Sequence, residues 1–250
     1  MKISIITVCF NSAKTIEKTF KSVQNQTYKN VEYIVVDGGS KDTTVDLVKK
    51  YKSIVSKWVS EQDKGLYDAM NKGIEMATGE LIGILNSDDI FIDKKVLENV
   101  ANFHLENKEI DASVGNIIQF NEEGKTVRKY SAKNWNPEKL KIGFMPAHPA
   151  IFFNRELFDK FGNYQLDFII GADYELITRF FLKHNISWEF SNITTTSMLI
   201  GGLSSSGVSS YRLISKEIKK ALSRNNIKFS YLKVQLRGFW KIIGLLNKNK

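Results

Sequence analysis

Two adjacent carboxylates, Asp88 and Asp89, follow the apolar run Leu81-Ile82-Gly83-Ile84-Leu85 through Asn86-Ser87. Side by side, such groups repel unless a cation or hydrogen-bond donors share their site. A hard divalent cation suits the pair. Mg2+ and Mn2+ take oxygen ligands, and Mg2+ uses one or two protein carboxylates while phosphates and water complete its octahedron. The alternative is that the pair caps the next helix. Its position directly after a buried strand favours the cation.

Asp37 opens Asp37-Gly38-Gly39-Ser40 after the run Tyr33-Ile34-Val35-Val36. Alone, this reads as a tight turn whose glycines supply positive φ. Beside the other strand ends, Asp37 is a candidate acceptor for a base N–H, and Phe10, after Val8-Cys9, is a candidate stacking surface. A buried Phe10 without ligand contact is the competing reading, because aromatics at strand ends commonly belong to the core. Asp63 and Lys64 close a third strand; Lys64 suits a phosphate, and Asp63 suits either a ligand or the cap of a helix from Leu66. Asp173 sits at a helix start in Gly171-Ala172-Asp173-Tyr174-Glu175, where capping again competes with chemistry. His148, between Pro146 and Pro149, is a turn residue or a functional imidazole.

These residues need elements to gather them. Apolar runs at 3–9, 31–37, 54–60 and 81–85 alternate with helical spacing from about Ala13, Thr43, Leu66 and Lys94. That β-α repetition predicts a mostly parallel sheet with helices on both faces. Several runs are continuous rather than alternating, as strands buried on both sides require. Ligands of such sheets bind beyond the carboxyl ends of the strands, so Phe10-Asn11, Asp37 to Ser40 and Asn86 to Asp89 are expected on one rim. After Ala112 the pattern is mixed: a hairpin across Glu122-Glu123-Gly124-Lys125, a strand at 150–154, and a helix from Ala172 burying Tyr174, Ile177, Phe180 and Phe181. Gly201 to Gly207 reads as a loop.

The chain has 250 residues, 42% of them hydrophobic, enough for one substantial core with an appendage. The single cysteine, Cys9, excludes an intramolecular disulfide and any multi-cysteine metal site, which fits a reducing, cytoplasmic setting. The run at 3–10 is read as a buried strand rather than a signal peptide. Nothing approaches the roughly 18 uninterrupted apolar residues of a membrane span. The net charge of +9 resides wholly after Glu217, leaving 27 basic and 27 acidic side chains in residues 1–217. A P-loop is excluded by Gln119 where Gly124-Lys125-Thr126 would need its leading glycine, and no Gly-x-Gly-x-x-Gly follows the first strand.

The segments Ile3 to Asn11, Tyr33 to Ser40, Asn71-Lys72-Gly73-Ile74 through Gly79-Glu80, and Leu85 to Asp89 together resemble glycosyltransferase family 2, inverting enzymes of GT-A fold. His148-Pro149-Ala150, Gly171 to Leu176 with Arg179, and Gly201-Gly202-Leu203-Ser204 extend the likeness more loosely, toward the bacterial polysaccharide branch. The resemblance implies that Phe10 and Asp37 hold the base, with Asp63 and Lys64 near the nucleotide-sugar. It further implies that Asp88 meets the ribose or sugar, that Asp89 binds Mn2+ or Mg2+, and that Asp173 is the catalytic base. His148 and Arg179 become candidates for the acceptor or sugar pocket. Ala172 stands where many members carry Glu, and the Gln-x-x-Arg-Trp motif of processive synthases is absent, which favours transfer of a single sugar. Chemistry agrees: a cation stabilises the leaving diphosphate, and a carboxylate on the opposite face accepts the acceptor proton as attack inverts the anomeric centre.

The expected division is a GT-A domain at 1–210, with its nucleotide-binding half at about 1–110 and its acceptor half at about 111–210, followed by a basic helical tail at 211–250. A helix over 229–246 would align Phe229, Leu232, Leu236, Phe239, Trp240, Ile243 and Leu246, with Lys233, Arg237, Lys241 and Lys248 forming a neighbouring stripe. That pattern suits the anionic inner face of the cell membrane and a lipid-linked saccharide acceptor. Docking on the protein's own core is the alternative, which Val234, Ile242 and Leu245 support. Nucleic acid is not an expected partner, because the body is neutral. A sugar nucleotidyltransferase and a non-catalytic scaffold are the competing functions; the first lacks its glycine-rich loop after strand one, and the second does not need Asp88, Asp89 and Asp173.

Overall fold

The computed structural model describes residues 1–121, 123–200 and 208–237. The expected loop at 201–207, Glu122 of the expected hairpin turn, and the tail from 238 onward lie outside them.

Among the described residues nine strands form one sheet: β1 (Ile3–Cys9), β2 (Val31–Asp37), β3 (Lys57–Ser60), β4 (Leu81–Ile84), β5 (Ile90–Phe91), β6 (Ala112–Phe120), β7 (Thr126–Tyr130), β8 (Ile151–Asn154) and β9 (Trp188–Leu199). Their order is β3-β2-β1-β4-β8-β6-β9-β5, with β7 paired to β6. Strands β3, β2, β1 and β4 are mutually parallel, while β8 enters antiparallel between β4 and β6. The expected parallel half and mixed second half are both present.

The central strands are apolar throughout because both faces are covered. Side chains alternate across a strand, so Ile6, Val8, Ile34 and Val36 enter one core layer, while Ile3, Ile5, Cys9, Tyr33 and Val35 enter the other. Helices α1 (Ile16–Gln24), α2 (Thr44–Lys50) and α4 (Val96–Glu106) cover the second layer. In α1 the buried residues Ile16, Thr19, Phe20 and Val23 follow the i, i+3, i+4, i+7 stripe of an amphipathic helix. Helix α3 (Leu66–Met76), the short α5 (Glu156–Phe161), α6 (Ala172–Thr178), α7 (Val208–Arg224) and α8 (Tyr231–Gln235) meet the first layer. A π-helical turn, Arg179–Lys183, extends α6 and buries Phe180 and Phe181 together.

Several boundaries shift for local reasons. Strand β3 begins at Lys57 rather than near 54, because Ile54 and Val55 donate their amides back to the Tyr51 carbonyl in a turn. Helix α1 starts at Ile16 rather than at about Ala13, whose amide is bound by Asp42.

The described part of the tail follows the alternative in which it docks on the protein's own core: Ile218 and Ala221 with Leu222 of α7 and Val234 of α8 lie in the same core layer as α6. The helix expected from Phe229 begins at Tyr231, where Ser230 caps it. Arg237, assigned to an exposed cationic stripe, is buried, donating to Ser215 Oγ and lying 4.2 Å from the centre of the Tyr211 ring. Val234 takes the inward position, leaving Tyr231, Leu232 and Leu236 exposed.

Candidate active site

The loops after β1, β2, β3 and β4 meet on one rim, joined by short polar side chains. The Asn11 amide donates to Ser40 Oγ (2.8 Å), and Asn11 Oδ1 accepts from the Lys41 amide (2.8 Å). Asn11 adopts a φ of 50°, a left-handed conformation that asparagine tolerates better than most residues. The Ser12 amide donates to Thr44 Oγ1 (2.8 Å) and the Ala13 amide to Asp42 Oδ2 (3.1 Å). Ser87 Oγ reaches Ser12 Oγ at 2.9 Å, which brings the β4 loop to the β1 loop.

Asp37 is the hub of this stitching. Its carboxylate is fully buried and accepts from the amides of Gly39 (3.1 Å) and Ser40 (3.0 Å), from Ser60 Oγ (2.7 Å) and from Ser40 Oγ. Burial pushes its pKa up, but the serine hydroxyls and the two amides outweigh that and hold it below the usual carboxylate range. Asp37 thus organises the turn from beneath. Asp63 closes on the same turn: a Cβ added at Gly38 would lie 2.3 Å from Asp63 Oδ2, so a side chain there would push the Asp63 carboxylate aside. Asp63 also accepts from the Gly65 amide (2.8 Å), while Lys64 is exposed beside it.

Phe10 is 61% exposed on this rim, which removes it from the core and leaves its ring free for a ligand. The carboxylate pair is split. Asp88 is half-buried and lines a cavity of about 420 Å3 with Thr15, Lys18, Phe120, Ser197 and Leu199. Asp89 is 2% exposed, and its carboxylate accepts from Asn86 Nδ2 (3.1 Å). Burial raises both pKa values, that of Asp89 well above the ordinary range with the charge of Asp88 adding to it. No base pairs with either among the described residues. Asn86 Oδ1 is buried without a partner. Two unbalanced carboxylates and one orphaned carbonyl oxygen are hard donors that fit Mg2+ or Mn2+. Among the described residues no group of three or more His, Cys, Asp or Glu side chains is placed to hold a metal ion.

Asp173 lies in the first turn of α6, half-buried, accepting from the Tyr174 amide (2.7 Å) and the Tyr67 hydroxyl (3.4 Å). Its pKa is raised to about 6, mainly by burial and in smaller part by the charge of Glu217; the two hydrogen bonds oppose the rise. Such a group is mostly ionised at neutral pH and basic enough to accept a proton. The Tyr67 and Tyr164 rings stack behind it, 5.7 Å between centres.

His148 is buried: its Nε2 meets the Tyr164 hydroxyl at 2.6 Å, and burial lowers its pKa to about 4, so it is neutral at pH 7. Arg179 is likewise enclosed. It is 5% exposed, and its donors are taken by Glu175 (3.0 and 3.1 Å) and by the carbonyls of Phe161, Gly162 (2.6 Å) and Asn163 (2.7 Å). It ties α6 to the turn after α5 rather than lining a pocket. Arg179→Ala is therefore expected to cost about 3–5 kcal/mol of stability, because it strands the buried Glu175 charge. Denaturant unfolding reads that loss; unchanged stability with a raised substrate KM would instead return Arg179 to the pocket.

Sequence reading missed Tyr67, Tyr164, Lys18, Ser60 and Glu217. Tyr67 and Lys18 fall within a turn or two of expected rim loops and were findable by extending those helices; Glu217 had no local signal.

The sequence model of glycosyl transferase family 2 matches residues 4–164. The chain belongs to this family. It is accordingly a glycosyltransferase, and its family has members in glycolipid and polysaccharide biosynthesis. It is 35% identical to an uncharacterised glycosyltransferase of Mycobacterium tuberculosis over 191 residues, 71% of this chain and 68% of that one. It is 28% identical to a PGL/p-HBAD biosynthesis glycosyltransferase of Mycobacterium bovis over 223 residues, 88% of this chain and 83% of that one. The fold is GT-A. It is similar to S. aureus TarS solved with UDP-GlcNAc, at a TM-score of 0.70 and 21% identity over 95% of this chain and 71% of that one. It also resembles the mannosyltransferase PcManGT of Pyrobaculum calidifontis, solved with GDP-Man and Mn2+, at a TM-score of 0.64 and 18% identity over 94% and 68%.

Proposed function

We propose that this family 2 enzyme transfers a single sugar from a nucleotide-sugar, a UDP-sugar in the first instance, to a hydroxyl of a lipid-linked saccharide with inversion, in surface polysaccharide assembly. The observation that carries the reading is the pairing of a stitched anionic rim with a separate half-buried carboxylate raised to about 6, Asp173. The UDP-GlcNAc and GDP-Man bound by the two structural neighbours support a nucleotide-sugar donor.

In this reading the Phe10 ring stacks on the base, the turn held by Asp37 and Asp63 receives the nucleoside, and Lys64 and Lys18 face phosphate. Asp88, rather than the enclosed Asp89, would hold Mn2+ or Mg2+ together with Asn86, and the ion would neutralise charge on the departing diphosphate. Asp173 takes the acceptor hydroxyl proton as that oxygen bonds to the anomeric carbon and the bond to diphosphate breaks on the opposite face. A panel of nucleotide-sugars with and without Mn2+, read by nucleoside diphosphate release, tests the donor class; release from none of them refutes it. In the same panel Phe10→Ala should raise donor KM about fivefold, for a stacking contact of about 1 kcal/mol, with stability unchanged. An unaltered KM removes the stacking role.

Membrane attachment is proposed for the face carrying Tyr231, Leu232 and Leu236, all exposed, flanked by exposed Lys233. Among the described residues no helix is long and apolar enough to cross a membrane. The glycolipid-related name of the M. bovis relative supports a lipid acceptor. Binding to vesicles containing anionic lipid should fall when Leu232 and Leu236 are both replaced by Ser, and should weaken with salt. Vesicle binding that ignores both changes would rule the face out.

A further inference from the structure

Residues 167–171 lead into α6 and Asp173, and what fixes them comes from the other end of the chain. Three consecutive amides converge on one carboxylate: Ile169 donates to Glu217 Oε1 (2.7 Å), and Ile170 and Gly171 donate to Glu217 Oε2 (2.9 and 2.7 Å). Successive amides of this kind form an anion-binding nest, and here the anion is a side chain of α7. Glu217 is 5% exposed and has no basic partner among the described residues, so its charge is balanced by these donors. The fit is close: a Cβ at Gly171 would lie 3.1 Å from both Glu217 Cβ and Oε2.

Positions 217, 220 and 224 share one face of α7, and all three grip this segment. Lys220 Nζ donates to the Asp167 carbonyl (2.6 Å), Arg224 makes a two-pronged pair with the Asp167 carboxylate (2.7 and 2.5 Å), and both cations lie over the Phe168 ring. From the opposite side the Tyr67 hydroxyl donates to the Ile170 carbonyl. The Ile169 side chain is 70% exposed, so packing does not hold that residue.

We infer that Glu217 is a positioning residue for sugar transfer, fixing the 169–171 backbone and thereby the place of the Asp173 carboxylate. This rests on Asp173 being the base. Of the groups facing Asp173, Tyr67 from α3 and Tyr164 from the α5–α6 connection are phenols that burial keeps neutral, while the Glu217 carboxylate from α7 adds a negative charge that raises Asp173. Glu217 therefore acts on Asp173 twice, through geometry and through charge.

Glu217→Gln keeps the length but presents an NH2 to backbone donors and removes the charge. Its kcat should fall about 10- to 100-fold with donor KM within about twofold, as misplacement of a catalytic group does. The acidic limb of its pH–rate profile should move to lower pH, because the neighbouring charge that raises Asp173 is gone. Glu217→Asp retains the charge on a shorter arm, so kcat should fall while the limb stays. In the wild-type protein the amides of 169–171 should exchange with deuterium slowly despite the exposed Ile169. Fast exchange there overturns the inference even if the variants fail to fold. An unchanged kcat and pH limb in Glu217→Gln, with Asp173→Asn inactive, overturns the positioning role alone. An active Asp173→Asn overturns the base assignment beneath it.

Discussion

Asp173→Asn should reduce transfer by about 10²- to 10⁴-fold, the usual contribution of a general base, while donor affinity stays close to wild type. Asparagine keeps the oxygen that accepts from the Tyr174 amide and the Tyr67 hydroxyl, so the first turn of α6 is preserved. Stability should hold or rise. The sign follows from linkage: burial lifts the folded pKa from 3.8 to about 6, so ionised Asp173 weakens the fold above about pH 6 and has little effect below about pH 4. Asparagine removes that ionisation. In the wild-type enzyme the rate should fall as pH drops below about 6, because the base is then protonated. Single-turnover transfer and thermal melts across pH 5–8 measure both effects. Near-normal transfer by the variant would reduce Asp173 to a helix-end residue.

The second large effect separates the adjacent acids. Asp88→Asn should lower transfer by at least about 10²-fold, the scale seen when charge stabilisation of a leaving group is lost, and should weaken donor binding, since Asp88 lines the cavity. Asp89→Asn should be much milder. It retains an acceptor for Asn86 Nδ2, and the side chain is enclosed behind the rim. Donor titration in the presence and absence of Mn2+ reads the difference. Inactivity of Asp89→Asn with survival of Asp88→Asn would reverse the assignment, and full wild-type turnover in excess chelator would falsify metal dependence.

The sheet's parallel half was legible because its chemistry is simple. Strands β1, β2 and β4 are covered on both faces and are therefore apolar at nearly every position, and the polar clusters that interrupt them had to mark the rim. Strand β9 was not legible. Its sequence, Trp188-Glu189-Phe190-Ser191-Asn192-Ile193-Thr194-Thr195-Thr196-Ser197, has no steady alternation, and its ladder with β6 shifts register twice around Asn116, near the left-handed Asn192. At the site, residue types located the candidates but left their orientation open. Phe10 turns outward and Asp89 inward, and neither direction follows from local sequence. Arg179 matched a family segment, yet its planar fork of donors suits backbone carbonyls as well as a ligand. Glu217 lies 44 positions beyond Asp173, and only the packing of α7 on α6 brings it close.

The enclosure of His148 bears on the charge around the proposed base. The chain has three histidines. Burial lowers His148 and His104 to about 4 and also depresses His184, where Lys183 and Arg179 add to the effect, while burial raises the Cys9 thiol. His148 is therefore uncharged at neutral pH and, paired with Tyr164 behind Asp173, adds no charge to the surroundings of that carboxylate. A proton accepted by Asp173 in the proposed reaction would meet no charged imidazole beside it.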